Sequence, residues 1–123
     1  MTIGEFSRIC GLSVDTLRYY ERLGLLRGIK RDRGGRREFR ERDLSWIAFV
    51  KRLKDTDMPL TEILRYADLR EQGDCTLQER KALLYVHANK LMKSINEQQS
   101  ALEALQDKIQ FYEQETKKNQ SSA

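Results

Sequence analysis

The side chains best suited to chemistry in this sequence are hydroxyls, an arginine and a tyrosine spaced along one predicted helix near the N-terminus. They are Ser13, Thr16, Arg18 and Tyr19. An arginine guanidinium binds a guanine edge or a phosphate through two parallel hydrogen bonds. Hydroxyl groups donate to phosphate oxygens. These residue types at this spacing indicate contact with a nucleic acid.

A second group of arginines, Arg36 and Arg37, follows a pair of glycines typical of a hairpin turn. Residues 1–56 hold 14 Lys/Arg and 8 Asp/Glu, whereas residues 57–123 hold 9 and 11. The basic front half favours a nucleic acid or an anionic membrane surface as partner over a merely solvated charged surface. We expect both arginines to meet a DNA backbone or minor groove.

Support for catalysis or metal binding is weak. Cys10 and Cys75 lie 65 positions apart and form neither a metal-binding pair nor a disulfide framework. Cys75 and His87 lie 12 positions apart on one predicted helix, so about 18 Å would separate them. No third catalytic group accompanies them. We therefore expect no enzyme, no metal and no other cofactor.

Membrane and secretion signals are also missing. No run approaches the roughly 20 apolar residues that cross a bilayer, and the N-terminus lacks the basic and apolar regions of a signal peptide. We expect a cytoplasmic protein with no membrane partner.

A helix-turn-helix unit would position the front arginine and its neighbours. Residues 2–5 have the spacing of a capping box, which predicts a short helix to Cys10 with Ile3, Phe6 and Ile9 on one face. A second helix follows a tight turn, with Ser13 as its N-cap and glycine at its end. The second helix of such a unit enters the major groove of DNA.

A basic wing and two more helices complete the front domain, which we place over residues 1–73. Strands are predicted at residues 29–32 and 36–40, with Phe39 anchored in the core. Amphipathic periodicity then predicts one helix that ends near Thr56 and another that Gly73 closes.

Residues 74–116 predict one long helix that starts with a capping box at Thr76. Mostly apolar residues fill the a and d positions of a heptad repeat for more than three heptads. Position a holds Ala88, Ile95, Leu102 and Ile109, and position d holds Leu84, Leu91, Gln98, Leu105 and Tyr112.

Such a helix is on the order of 55–60 Å long. The front domain is too small to cover it, so its simplest partner is a second copy of the chain; packing within one larger monomer is the alternative. Residues 117–123 are polar, and we expect them to fray.

Three segments of this sequence, residues 3–6, 12–26 and 35–39, resemble the MerR family of bacterial regulators. The most specific is the run Leu17-Arg18-Tyr19-Tyr20-Glu21. The resemblance covers residues 1–70 in detail. It implies a mainly α fold, in which a winged helix-turn-helix DNA-binding domain precedes a long dimerisation helix that forms an antiparallel coiled coil.

The resemblance also implies a function. A homodimer would bind double-stranded promoter DNA across an over-long spacer, with Arg18, Tyr19 and Arg37 as DNA contacts. Arg36 stands where the family usually has an aromatic residue. An effector would let the dimer bend and untwist the DNA so that RNA polymerase can use the promoter. The alternative is an interaction protein whose coiled coil is the working part.

Residues 46–58 and 75–112 resemble the aldehyde- and thiol-stress-responsive branch of this family, which implies a stress response. Members of that branch have a reactive cysteine in the first segment, where this sequence has Arg52 and Leu53. Cys75 remains as a candidate thiol sensor, with an ordinary structural cysteine as the alternative. The cysteine pair that metal-sensing relatives place after the long helix is absent.

Overall fold

Helix α1, Ile3–Cys10, begins and ends at the residues that its caps dictate. The Thr2 Oγ1 accepts a hydrogen bond from the Glu5 N–H at 3.1 Å. That bond satisfies one of the donors that every helix leaves open in its first turn. Gly11 ends the helix in the left-handed region with φ +78°. The predicted first helix is thereby confirmed.

Helix α2, Val14–Leu23, has the same kind of boundaries. The Ser13 Oγ accepts from the Thr16 N–H at 3.1 Å, and Gly24 ends the helix with φ +88°. Tyr20 is 5% exposed and packs inward. The tight turn between α1 and α2 makes the predicted helix-turn-helix.

The wing is an antiparallel pair of very short strands, β1 at Lys30–Arg31 and β2 at Arg37–Glu38. They are shorter than the strands predicted at residues 29–32 and 36–40. Asp32 explains part of the difference, because its Oδ1 accepts from the N–H groups of Gly34 and Arg36 and so draws the chain into the turn.

Phe39 fixes the wing to the helices. Its ring is 2% exposed and stacks on the buried ring of Phe6 with the ring centres 4.4 Å apart. The Phe39 N–H donates to the Met1 carbonyl at 2.8 Å, and the Met1 ammonium donates to the Phe39 carbonyl at 2.7 Å. The predicted anchor is confirmed. Of the three apolar residues predicted on one face of α1, Phe6 is fully buried, whereas Ile9 is 63% exposed.

Helices α3, Glu41–Asp55, and α4, Leu60–Gln72, complete the core. The Trp46 Nε1–H donates to the Leu25 carbonyl at 2.6 Å, which ties α3 to the segment after α2. Both helices end where the sequence predicts, at Thr56 and Gly73. The most deeply buried side chains of this core are Phe6, Leu17, Leu25, Leu26, Ile47, Val50 and Ile63.

A 3-10 turn at Asp74–Thr76 leads into helix α5, Leu77–Ser121. The predicted capping box at Thr76 does not form. Instead, the Thr76 hydroxyl lies 2.5 Å from the Leu69 carbonyl and 2.8 Å from the Gly73 carbonyl and donates to them, while it accepts from Arg80 Nε at 3.1 Å. The Thr76 hydroxyl therefore connects the end of α4 to the start of α5 through hydrogen bonds.

The computed structural model describes residues 1–121, and the chain divides into two compact units, residues 1–83 and residues 84 onward. The predicted boundary lay earlier, between residues 73 and 74. Residues 117–121 were expected to fray but belong to α5. The last two residues of the expected tail lie outside the described part. No helix in residues 1–121 is long and apolar enough to span a membrane.

Candidate nucleic-acid interface

The hydroxyls of Ser13 and Thr16 form one small hydrogen-bonded unit at the start of α2. Ser13 Oγ accepts from the Thr16 N–H and donates to Thr16 Oγ1 at 2.8 Å. Ser13 is therefore a capping residue that uses its only proton inside the protein. Thr16 Oγ1 keeps its own proton, since a hydroxyl can accept one bond while donating another.

Arg18 and Tyr19 follow on the exposed face of α2. The Arg18 side chain is 48% exposed, and its guanidinium lies 3.8 Å from the Asp15 carboxylate on the preceding turn. Tyr19 is 47% exposed, and the Arg22 guanidinium lies 6.0 Å from its ring centre. An exposed ion pair at 3.8 Å contributes little, so Arg18 can exchange Asp15 for a phosphate or a base edge.

Arg37 joins the wing to α2. Its Nε–H lies 3.1 Å from each carboxylate oxygen of Glu21, and both side chains are about three-quarters buried. A guanidinium has five N–H donors in a fixed plane. Among the described residues, no acceptor is bonded to the other four N–H groups of Arg37. The ion pair therefore orients the guanidinium and leaves these four donors available to a ligand.

Four arginines line one cleft between α2, the wing and the start of α1. They are Arg18, Arg31, Arg36 and Arg37, and the acidic residues of the same cleft are Glu5, Asp32 and Glu38. Three residues that the sequence predicted separately, on the helix and on the wing, thus share one site. Their combined charge suits the phosphate backbone of a duplex.

Arg31 is the member of this cleft that the sequence analysis missed. The strand register places it directly opposite Arg37, and its Nη1 donates to the Gly35 carbonyl at 2.7 Å. Facing residues of an antiparallel pair lie on the same side of the hairpin. The pairing of Arg31 with Arg37 was the signal that could have identified it.

Tyr19 lies outside the arginine-lined cleft. It borders a separate surface with Lys54, Asp57 and Leu60 where α3 turns into α4. On the same side Lys54 Nζ donates to the Tyr20 hydroxyl at 2.9 Å. The side chains of α2 therefore divide between two surfaces, with Arg18 on one and Tyr19 on the other.

The two thiols lie apart from these surfaces. Cys75 is exposed in the turn before α5, where its Sγ lies 3.6 Å from the Gln72 carbonyl. Cys10 is half-buried at the end of α1. No group of three or more His, Cys, Asp or Glu side chains within the described residues is arranged to hold a metal ion.

Comparison with known families settles the class of protein. The family model for the MerR helix-turn-helix regulatory proteins matches residues 1–69, and a second MerR model, for DNA binding, matches residues 44–109. The chain belongs to the MerR family. The resemblance noted in the sequence is confirmed, and with it the mainly α, winged helix-turn-helix fold.

Individual MerR proteins are similar along most of the chain. The Bacillus subtilis regulator AdhR is 34% identical over 93 residues, which is 76% of this chain and 66% of AdhR. A MerR family regulator from Listeria monocytogenes is 36% identical with a TM-score of 0.87, covering 92% of this chain and 86% of that one. These relatives are transcription regulators, not enzymes.

One structural relative was solved on DNA. HiNmlR, a MerR family regulator that lacks the sensor domain, was crystallised bound to promoter DNA. It is 34% identical, with a TM-score of 0.82, and the match covers 92% of this chain and 90% of HiNmlR. This chain is accordingly a DNA-binding transcription regulator of the MerR type.

The Glu21–Arg37 ion pair predicts an effect on DNA affinity opposite to the effect expected from net charge alone. Glu21→Ala removes a negative charge near DNA, which by itself would strengthen binding. We expect weaker binding instead, by about threefold to tenfold, because the lost pair of roughly 1 kcal/mol no longer holds the wing arginine in place. Fluorescence anisotropy with duplex promoter DNA measures the affinity.

Glu38→Ala is the matched control, since it removes the same charge from the cleft that Arg37 lines without breaking this ion pair. We expect its affinity to be unchanged or higher. Equal gains in affinity for both variants would contradict a positioning role for Glu21.

Proposed function

We propose that this MerR regulator binds a promoter as a homodimer and activates transcription by distorting the promoter spacer in response to a stress signal. The observation that supports the proposal most directly is the cleft in which helix α2 and the wing present Arg18, Arg36 and Arg37 together. HiNmlR, which is similar along nearly its whole length, was solved bound to promoter DNA.

Each element has a role in this proposal. Helix α2 enters the major groove, where Thr16 and Arg18 meet base edges or phosphates. Arg36 and Arg37 of the wing contact the backbone, which fixes the position of the protein but is blind to sequence. Ser13 acts through its cap, and Tyr19 donates to a phosphate on the α3–α4 side.

The exposure of apolar residues on α5 supports the homodimer. At about 1.5 Å per residue, its 45 residues span roughly 67 Å. Ile95, Leu102, Leu105 and Ile109 are all between 46% and 62% exposed. An apolar stripe of this kind gains roughly 25 cal/mol for each Å² that a partner covers, and a second α5 offers the same stripe.

A dimer can activate transcription by changing the shape of the DNA between its two contact sites. Two α2 helices in a symmetric dimer meet successive major grooves about 34–36 Å apart. If the dimer holds them at a different spacing or angle, the duplex must bend or untwist, at a cost of a few kcal/mol that the contacts repay. The distorted spacer then brings the promoter elements into alignment for RNA polymerase.

Arg18→Ala tests the DNA-binding half of the proposal. Loss of a base or phosphate contact should weaken promoter binding by about 10- to 100-fold and lower the slope of log affinity against log salt by about 1. Lys93→Ala removes the same charge from α5 and should change neither quantity. Wild-type affinity for the Arg18 variant would show that α2 is not the recognition helix.

Leu102→Asp tests the dimer. The carboxylate would have to enter the apolar seam, so we expect the dimer dissociation constant to rise at least about 100-fold. Ser100→Asp adds the same charge at heptad position f, which faces away from the seam, and should leave the constant unchanged. Sedimentation equilibrium measures both, and a monomeric wild-type protein would refute the homodimer.

For the signal, we propose the Cys75 thiol as the sensing group, since it is exposed whereas Cys10 is half-buried. In vitro transcription from the promoter of this regulator, with and without a thiol-reactive aldehyde or oxidant, should show induction in the wild type. Cys75→Ser should bind the promoter normally but lose the induction, and Cys10→Ser should keep it. Full induction of the Cys75 variant would exclude this thiol as the sensor.

A further inference from the structure

Asp15 occupies the most outward position on the first turn of α2, the helix that we propose recognises DNA. Its side chain is 97% exposed, whereas Leu17 and Tyr20 on the inner face of the helix are 1% and 5% exposed. At 3.6 residues per turn, Asp15 lies about 160° from Leu17 and about 140° from Tyr20 around the helix axis. The carboxylate therefore projects almost directly away from the core.

Arg18 and Tyr19 flank Asp15 on opposite sides of the helix. The same helical geometry places Arg18 about 60° to one side of Asp15 and Tyr19 about 40° to the other. Arg18 lines the cleft that the wing completes, and Tyr19 borders the surface beside Lys54. Asp15 lines neither of these two surfaces and lies between them.

Such a position directs Asp15 at the bases when α2 enters the major groove. The flanks of a helix in the groove face its two walls, which are the phosphate backbones, whereas the outward residues of its N-terminal end meet the base edges. Arg18 and Tyr19 lie on the flanks, so each can reach a wall. Asp15 faces the floor of the groove between them.

A carboxylate in that place needs a hydrogen-bond donor. Among the described residues Asp15 forms an ion pair with Arg18 alone, at 3.8 Å, and an exposed pair of this kind contributes little. When Arg18 turns to the DNA, Asp15 is left with the repulsion of the phosphates. A polar group that loses water without gaining a partner is unfavourable, so the base edge that faces Asp15 has to supply a donor.

The four bases differ in whether they supply that donor in the major groove. Cytosine presents the N4 amino group, and adenine presents the N6 amino group beside the acceptor N7. Thymine O4 and guanine O6 and N7 are acceptors, which a carboxylate repels. A carboxylate therefore fits cytosine best, fits adenine less well and rejects thymine and guanine.

We infer that Asp15 is a specificity-determining residue of this regulator, and that its carboxylate accepts a hydrogen bond from the N4 amino group of a cytosine in the binding site. This inference rests on the proposed recognition of DNA by α2 and deepens it. The role of Asp15 is selection among sequences, since its charge opposes binding to any DNA, whereas the wing arginines strengthen binding without regard to sequence.

A selection experiment with the full-length protein tests this role. Duplexes with randomised positions are bound to the protein, and sequencing of the bound fraction gives the base preference at every position of the site. For the wild type we expect a position at which cytosine is bound about 5- to 30-fold more tightly than thymine or guanine.

Two substitutions of Asp15 should change that preference in different ways. In Asp15→Ala the ratio should fall to within about twofold, because the group that accepts from cytosine and repels the other bases is gone. Asp15→Asn should instead favour thymine or guanine at this position, since the side-chain amide can donate to thymine O4 or guanine O6.

Glu41→Ala is the matched control. Glu41 is an exposed acid in the first turn of α3, so its removal takes away the same charge and the same favourable interaction with a helix dipole. We expect its base preferences to equal those of the wild type at every position. The melting temperatures of all three variants report any loss of stability separately from base preference.

The outcomes separate this inference from the proposal on which it depends. A wild type with no base preference at any position would overturn both. Wild-type preferences that Arg18→Ala reduces but Asp15→Ala leaves unchanged would overturn the role of Asp15 alone, and α2 would remain the recognition helix. A position that depends on Asp15 but favours a base other than cytosine in the wild type would also overturn the inference.

Discussion

The burial of Phe39 against Phe6 is the contact on which the candidate DNA-binding surface depends. The wing strands are two residues each, and an isolated hairpin of that size is not stable in water. Burying an aromatic ring of this kind contributes a few kcal/mol. The backbone bonds between Met1 and Phe39 then hold the strand end beside α1. Without this anchor, the basic turn of the wing would have no defined place.

Anchoring the wing has a consequence for its charges. Phe39 lies directly after β2, so Arg37 two positions earlier points to the same side of the strand, toward α2. There it meets Glu21, the acid of the Leu17-Arg18-Tyr19-Tyr20-Glu21 run. An acidic residue beside a surface that binds DNA weakens the electrostatic attraction to the phosphates. Here the Glu21 carboxylate holds the Arg37 guanidinium in one orientation. The other arginines that line the cleft keep its net charge positive.

The features that the sequence predicted correctly are those set by interactions between neighbouring residues. The caps at Thr2 and Ser13 and the end of α2 at Gly24 depend on neighbouring residues, so short motifs located them correctly. The prediction for Thr76 was wrong because its hydroxyl bonds to Leu69 and Gly73, carbonyls of the preceding helix that no capping motif contains. The exposure of Ile9 likewise depends on which neighbours cover α1.

The same distinction between local and long-range interactions applies to the candidate site. Arg18 and the wing arginines were identified from their types and their place after a turn. Arg31 was missed because its role depends on strand register, and the Glu21–Arg37 pair was missed because it joins residues 16 positions apart. Ser13 remains a predicted contact, and the sequence did not show that its hydroxyl proton is donated to Thr16 Oγ1. Hydrogen bonds and ion pairs between residues distant in the sequence determine which polar groups remain available to DNA. The sequence alone shows these interactions only indirectly.

The two basic surfaces of the molecule differ in how their arginines are held. In the cleft between α2 and the wing, the Glu21 carboxylate of the same chain orients Arg37. Around Arg42, Arg70 and Arg80, where α3 and α4 meet the start of α5, no carboxylate within residues 1–121 forms an ion pair with a guanidinium, and Arg70 instead lies over the ring of Trp46. Because Trp46 also donates a hydrogen bond to the carbonyl of Leu25 just after α2, the side of the domain that holds Arg70 is tied directly to the end of the helix that we propose recognises DNA.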